Sequence, residues 1–130
     1  AQGDPMNKIN PVSSKEEILN ARKQAQNIYV DDSIYKYIVE LCNETRNNNV
    51  IEIGVSPRGE LAIARMAKAR AYFYDREFVI PEDVSEVFID TCIHRITLKD
   101  NELTIISDTR RNVLQEILNK VKKPELIKRV

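Results

Sequence analysis

Gly54-Val55-Ser56-Pro57-Arg58-Gly59-Glu60-Leu61 reads as the start of a helix. Ser56 offers a hydroxyl at the cap, and Pro57 stands at the first helical position, where its missing N–H removes no hydrogen bond. Ala62, Ala64, Ala67, Ala69 and Ala71 follow, and side chains this small imply that another helix approaches closely. Beyond Tyr72-Phe73-Tyr74 comes Asp75-Arg76-Glu77-Phe78-Val79-Ile80, and then Pro81-Glu82-Asp83-Val84 repeats the helix-start pattern. Here the two acids lie in the first turn, where the helix dipole favours them. The next helix is therefore expected over residues 81–93.

Working outward, Asp31, Asp32 and Ser33 are caps for Ile34, Tyr37, Ile38, Leu41 and Cys42, which recur at helical spacing and end near Thr45-Arg46. Asn47, Asn48 and Asn49 tolerate turns, and Val50-Ile51-Glu52-Ile53 leads from them to Gly54 within an irregular stretch. Further upstream, Ser13 and Ser14 each precede a glutamate at capping-box distance. Ile18, Leu19, Ala21 and Ala25 give an apolar stripe over a helix from Ser14 to Gln26. Residues 1–12 carry Asp-Pro and Asn-Pro and read as an extended lead-in. Downstream, Ile96, Leu98, Leu103 and Ile105 alternate with polar neighbours about Asp100-Asn101, the pattern of a small β-hairpin over residues 96–106. A last helix, capped by Ser107 or Asp108, carries Val113, Leu114, Ile117, Leu118 and Val121 and closes at Pro124. The expected fold is mainly α, a bundle of four to five helices.

A chain of 130 residues, 42% hydrophobic and 31% charged, folds as one soluble domain. Twenty basic residues balance twenty acidic ones, so no global field draws it to nucleic acid or an anionic membrane. Two cysteines, Cys42 and Cys92, are too few for a disulfide framework, and with no signal-like or long apolar run the chain reads as cytoplasmic with free thiols. One histidine, His94, argues against a zinc site or a Ser-His-Asp arrangement. His94-Arg95 follows a helix and complements its carbonyl end. Arg65, Lys68, Arg70 and the lysines of residues 120–123 lie among acids and read as solvated faces. Tyr35, Tyr37 and Tyr72 are expected to turn their hydroxyls outward.

The spacing of Gly54 and Gly59 matches a phosphate-cradling loop, but Glu60-Leu61 replace its lysine and its Ser/Thr magnesium ligand. The segment is not a P-loop. It does place Arg58 in the first turn of a helix, where a cation opposes the dipole at a cost of about 0.3–1 kcal/mol. An anionic partner reverses that sign. Arg58 therefore either meets a phosphate or pairs with an acid such as Glu60 or Glu52.

Taken in order, Tyr37-Ile38-Val39, Thr45-Arg46, Gly54-Val55-Ser56-Pro57-Arg58-Gly59, residues 75–84 and His94-Arg95-Ile96 resemble the C-terminal lid domain of MoxR-type AAA+ ATPases. Asp75 departs from the pattern, standing where the family usually has a glycine. The resemblance implies a helical lid over residues 13–124, entered by a linker at 1–12 from an N-terminal α/β core domain and followed by a tail at 125–130. It implies that ATP with Mg2+ binds between core and lid, around Ser56, Pro57, Arg58 and Gly59. Arg58 would be the second sensor, facing the γ-phosphate. The implied whole is a homo-hexameric ring with a chaperone-like role toward partners such as von Willebrand factor A domains, using neither nucleic acid nor membrane. This segment, without a nucleotide-binding loop of its own, is not expected to hydrolyse ATP. The competing expectation is a standalone winged-helix-like module touching DNA or protein through the 96–106 hairpin, against which the neutral charge balance counts.

Overall fold

In the computed structural model, which describes residues 11–99 and 109–126, the expected caps Asp31 and Ser56 act where their chemistry places them, whereas Ser13 and Ser14 lie inside the first helix rather than at its start. The elements are α1 (Pro11–Gln26), α2 (Asp32–Arg46), β1 (Ile51–Ile53), α3 (Pro57–Phe73), α4 (Pro81–Cys92), β2 (Thr97–Leu98) and α5 (Thr109–Lys120). Asp31 caps α2 by accepting the Ser33 N–H, and Ser56 caps α3 by accepting the Gly59 N–H. Helix α4 has no side-chain cap at Ile80, but Asp83 Oδ2 accepts the Ile80 N–H at 2.8 Å, which serves the same end from inside the helix. The fold is mainly α with one small antiparallel sheet.

The core lies where α2, α3, α4 and α5 meet. Ile34, Tyr37, Ile38 and Leu41 of α2, Ile63 of α3, Phe88 of α4 and Leu114 of α5 are its largest fully buried side chains. Ala62, Ala64, Ala67 and Ala71 are buried along α3, which packs on α4, as the small-residue pattern requires. The connection between α1 and α2 is tied to the one between α3 and α4. Tyr29 N–H donates to the Glu77 carbonyl and Val79 N–H to the Tyr29 carbonyl, both at 2.9 Å.

The alternation at residues 96–98 does mark a strand, but its partner in the described structure is β1, with Ile51 opposite Leu98 and Ile53 opposite Thr97. The irregular stretch expected between Arg46 and Val55 therefore contains a strand. Residues 100–106, the rest of the expected hairpin, lie outside the described residues, as do residues 1–10 and the caps at Ser107 and Asp108. Helix α1 begins at Pro11 rather than Ser14. Its stripe is not core: Ile18 and Leu19 are 59% and 50% exposed. Tyr37 is corrected too, since its ring and hydroxyl are both buried, the hydroxyl without a hydrogen-bond partner among the described residues.

Asp75 holds the left-handed conformation usual for glycine, with φ 58°. Asp75 N–H reaches the Tyr72 carbonyl and Arg76 N–H the Ala71 carbonyl, the paired bonds of a Schellman termination. Relieving the Cβ strain at this exposed turn is worth about 1–2 kcal/mol, and glycine returns part of that as entropy. Asp75→Gly is accordingly expected to stabilise the domain by about 0.5–1 kcal/mol, measured by urea unfolding; a loss of stability would mean that the aspartate side chain itself holds the turn.

Candidate functional site

The candidate site is the turn entering α3. Its position is set by the last turn of α2, which grips Val55 from both sides. Thr45 Oγ1 accepts the Val55 N–H at 2.9 Å and donates to the Cys42 carbonyl at 2.6 Å. Arg46 Nε donates to the Val55 carbonyl at 2.7 Å. Gly54 lies flat against the same backbone: a Cβ there would stand 2.7 Å from Arg46 N and 2.8 Å from Arg46 Cα. Val55 is fully buried, and α3 starts two residues later.

Of the four residues expected around the phosphate, the structure brings all into one turn but leaves them unequal. Ser56 Oγ and Gly59 N–H engage one another at 3.3 Å. Pro57 has no N–H to give. Gly59 is buried against Val55, where an added Cβ would overlap Val55 Cγ1. Arg58 is exposed and has no ion pair or hydrogen bond among the described residues. The pairing with Glu60 considered from the sequence is absent, because Glu60 faces inward. Its Oε1 lies 3.3 Å from Arg46 Nη2, and its side chain is 19% exposed. Its other oxygen, Oε2, is buried without a partner among the described residues.

The remaining candidates resolve structurally. His94 is exposed while Cys92 is buried, and Arg95 Nε donates to the Thr91 carbonyl at 3.0 Å, closing the end of α4. Burial pushes the Cys92 thiol up to about 12, with Arg95 opposing the rise. Burial also raises Cys42, helped by Cys92 and Glu60 and opposed by Arg46. Both thiols are thus protonated and unreactive near neutral pH. Lys120 meets Glu44 at 2.9 Å and Lys123 meets Glu82 at 3.8 Å, so the C-terminal lysines are partly paired.

Arg70 is not a solvated residue. It donates to Asp83 Oδ1 at 2.7 Å, beside Arg76, which grips both Asp83 oxygens at 2.5 and 2.6 Å. With the Ile80 N–H, the fully buried Asp83 accepts four hydrogen bonds. In the sequence Asp83 reads as a dipole acid, and nothing local gives Arg76 a partner. The one available signal was their co-occurrence in the 75–84 motif.

The chain and its fold have relatives among known proteins. The AAA lid domain family matches residues 43–117. YeaC of Bacillus subtilis, an uncharacterized protein, is 35% identical over 92% of this chain and 37% of its own length. The chaperone MoxR1 of Mycobacterium tuberculosis is 32% identical over 67% of this chain and 26% of its own length. The crystal structure of a proposed ATPase from Cytophaga hutchinsonii superposes with a TM-score of 0.77 at 32% identity, over 85% of this chain and 36% of that one. This chain belongs to the AAA lid domain family. Within that family it is the lid region of a MoxR-type AAA+ ATPase. It spans little more than a third of the length of YeaC. No helix among the described residues is long and apolar enough to cross a membrane.

Proposed function

We propose that the full-length protein is a cytoplasmic ATPase in which this lid closes over ATP on an α/β core domain preceding it, Arg58 facing the γ-phosphate of the same subunit. The observation that carries the reading is the state of Arg58: a cation in the first turn of α3, exposed and without an ion pair among the described residues, while its nearest acid in sequence is turned away. A charge held against the helix dipole is favourable once an anion meets it. Such a cation stabilises charge developing on the transferring phosphoryl group, and contact with that group ties lid angle to phosphate state. Among the described residues no three His, Cys, Asp or Glu side chains gather as metal ligands. In this reading Mg2+ is held with ATP by the core domain. The protein would work as a homo-hexameric ring that remodels or matures partner proteins, von Willebrand factor A domains among them, in the manner of a chaperone.

The test is Arg58→Ala in the full-length protein. ATP turnover is expected to fall about 10-fold or more, with the thermal stability of the lid nearly unchanged. Undiminished turnover together with a large loss of lid stability would make Arg58 structural and overturn the proposal.

A further inference from the structure

Arg46 uses each end of its guanidinium differently. Nε donates to the Val55 carbonyl at 2.7 Å, Nη1 to Asn43 Oδ1 at 2.8 Å, and Nη2 faces Glu60 Oε1 at 3.3 Å. Only a planar, forked cation serves three acceptors in three directions. Two of those acceptors belong to the entry of α3, one on each side of Arg58: Val55 before it and Glu60 after it. Glu60 matters because its carboxylate, 19% exposed and with one oxygen unpartnered, sits in the same helical turn as Arg58. Left uncompensated, it would place an unpaired negative charge within the turn that carries Arg58, and that charge would weaken the turn's attraction for a phosphate even though the carboxylate itself faces inward.

We infer that Arg46 is a positioning residue for the phosphate contact: it anchors the turn that carries Arg58 and cancels the charge of Glu60, so that a nucleotide phosphate meets Arg58 without a competing carboxylate. This inference rests on the reading of Arg58 given above. Thr45 and Gly54 also seat the same turn, whereas among the described residues the ion pair to Glu60 is supplied by Arg46. In this role Arg46 acts through Val55 and Glu60.

Steady-state ATP hydrolysis by the full-length protein tests it, with Arg58→Ala measured alongside. Arg46→Gln is expected to raise KM for ATP about 10-fold while kcat stays within about threefold. Adding Glu60→Gln to Arg46→Gln removes the stranded carboxylate and is expected to bring KM back to within about threefold of the parent. A purely structural role for Arg46 would give no such recovery, so a double variant as impaired as the single one overturns the inference. An unchanged KM in Arg46→Gln does so as well, and if Arg58→Ala is impaired in that case, only the role of Arg46 fails. An unimpaired Arg58→Ala instead removes the phosphate reading and this inference with it. Should Arg46→Gln not fold, Glu60→Gln alone decides: KM at or below the parent value is expected, and a raised KM contradicts the role assigned to Arg46.

Discussion

Asp83→Ala is expected to destabilise the lid by about 3–5 kcal/mol, a large part of what holds a domain of this size together. The carboxylate is fully buried and accepts hydrogen bonds from Arg70, Arg76 and the Ile80 N–H. Removing it leaves two guanidinium groups facing each other with nothing between them, and it deprives the N–H of Ile80, the N-cap of α4, of its acceptor. Asp83→Asn keeps the shape but not the charge, so it is expected to lose nearly as much. Urea unfolding followed by circular dichroism at neutral pH measures both, and a loss below about 1 kcal/mol would mean that the cluster adds little beyond packing.

The same group sets an acid limit. Burial pushes the Asp83 carboxyl upward, but hydrogen bonds from Arg76, the Ile80 N–H and Arg70, with the charge of Arg76, bring it below its usual 3.8. Reciprocally, the hydrogen bonds that Arg76 donates to Asp83 raise Arg76, against a smaller opposing effect of burial. A carboxyl whose pKa is lower folded than unfolded contributes fully above the unfolded value, and that contribution is lost as pH falls through the folded one. The stability gap between parent and Asp83→Ala is therefore expected to be constant from about pH 6 to 8 and to narrow below about pH 4.

The second large effect is expected at Gly54. In Gly54→Ala the new methyl would stand 2.7–2.8 Å from Arg46 N, Arg46 Cα and Thr45 C, all of them backbone atoms. A side chain can swing aside, but the last turn of α2 cannot do so without breaking the grip of Thr45 and Arg46 on Val55. Overpacking of this kind costs about 1–3 kcal/mol and sometimes more, which should appear as a fall in Tm of about 5–15 °C. On the function proposed above, ATP turnover of the full-length protein should fall as well, because the displaced turn carries Arg58. An unchanged Tm would show that the 54–55 strap can lift from α2 freely.

Most helix starts are legible in the sequence because a cap is a local device. Asp31 and Ser56 act on N–H groups two or three residues away, and Pro57 and Pro81 act on their own φ. The spacing of Ile34, Tyr37, Ile38 and Leu41 likewise reports a face whatever it packs against. The resemblance carried by Ser56-Pro57-Arg58 and by residues 75–84 located the family. It also exposed the departure at Asp75, where the left-handed turn survives the loss of glycine.

Four features were not legible, each because it depends on residues distant in sequence or on what the domain leaves uncovered. The apolar residues of α1 look like core, but α1 packs mainly on α3, and Ile18 and Leu19 stay exposed. Strand β2 announces itself by alternation, yet alternation does not name a partner, and the chain folds back to place β1 there. Asp83 has the local appearance of a dipole acid, and Glu60 that of a mate for Arg58. Their actual partners, Arg70 and Arg76 in one case and Arg46 in the other, arrive only when α3 packs on α4 and α2. The sequence alone therefore determined where α2, α3 and α4 begin, which family the helices build and that Arg58 stands at a helix entrance, since each of these is a matter of neighbouring residues. Which charges are buried together, and that Arg58 is left free of them among the described residues, was decided by packing, because burial and ion pairing are properties of surfaces brought into contact.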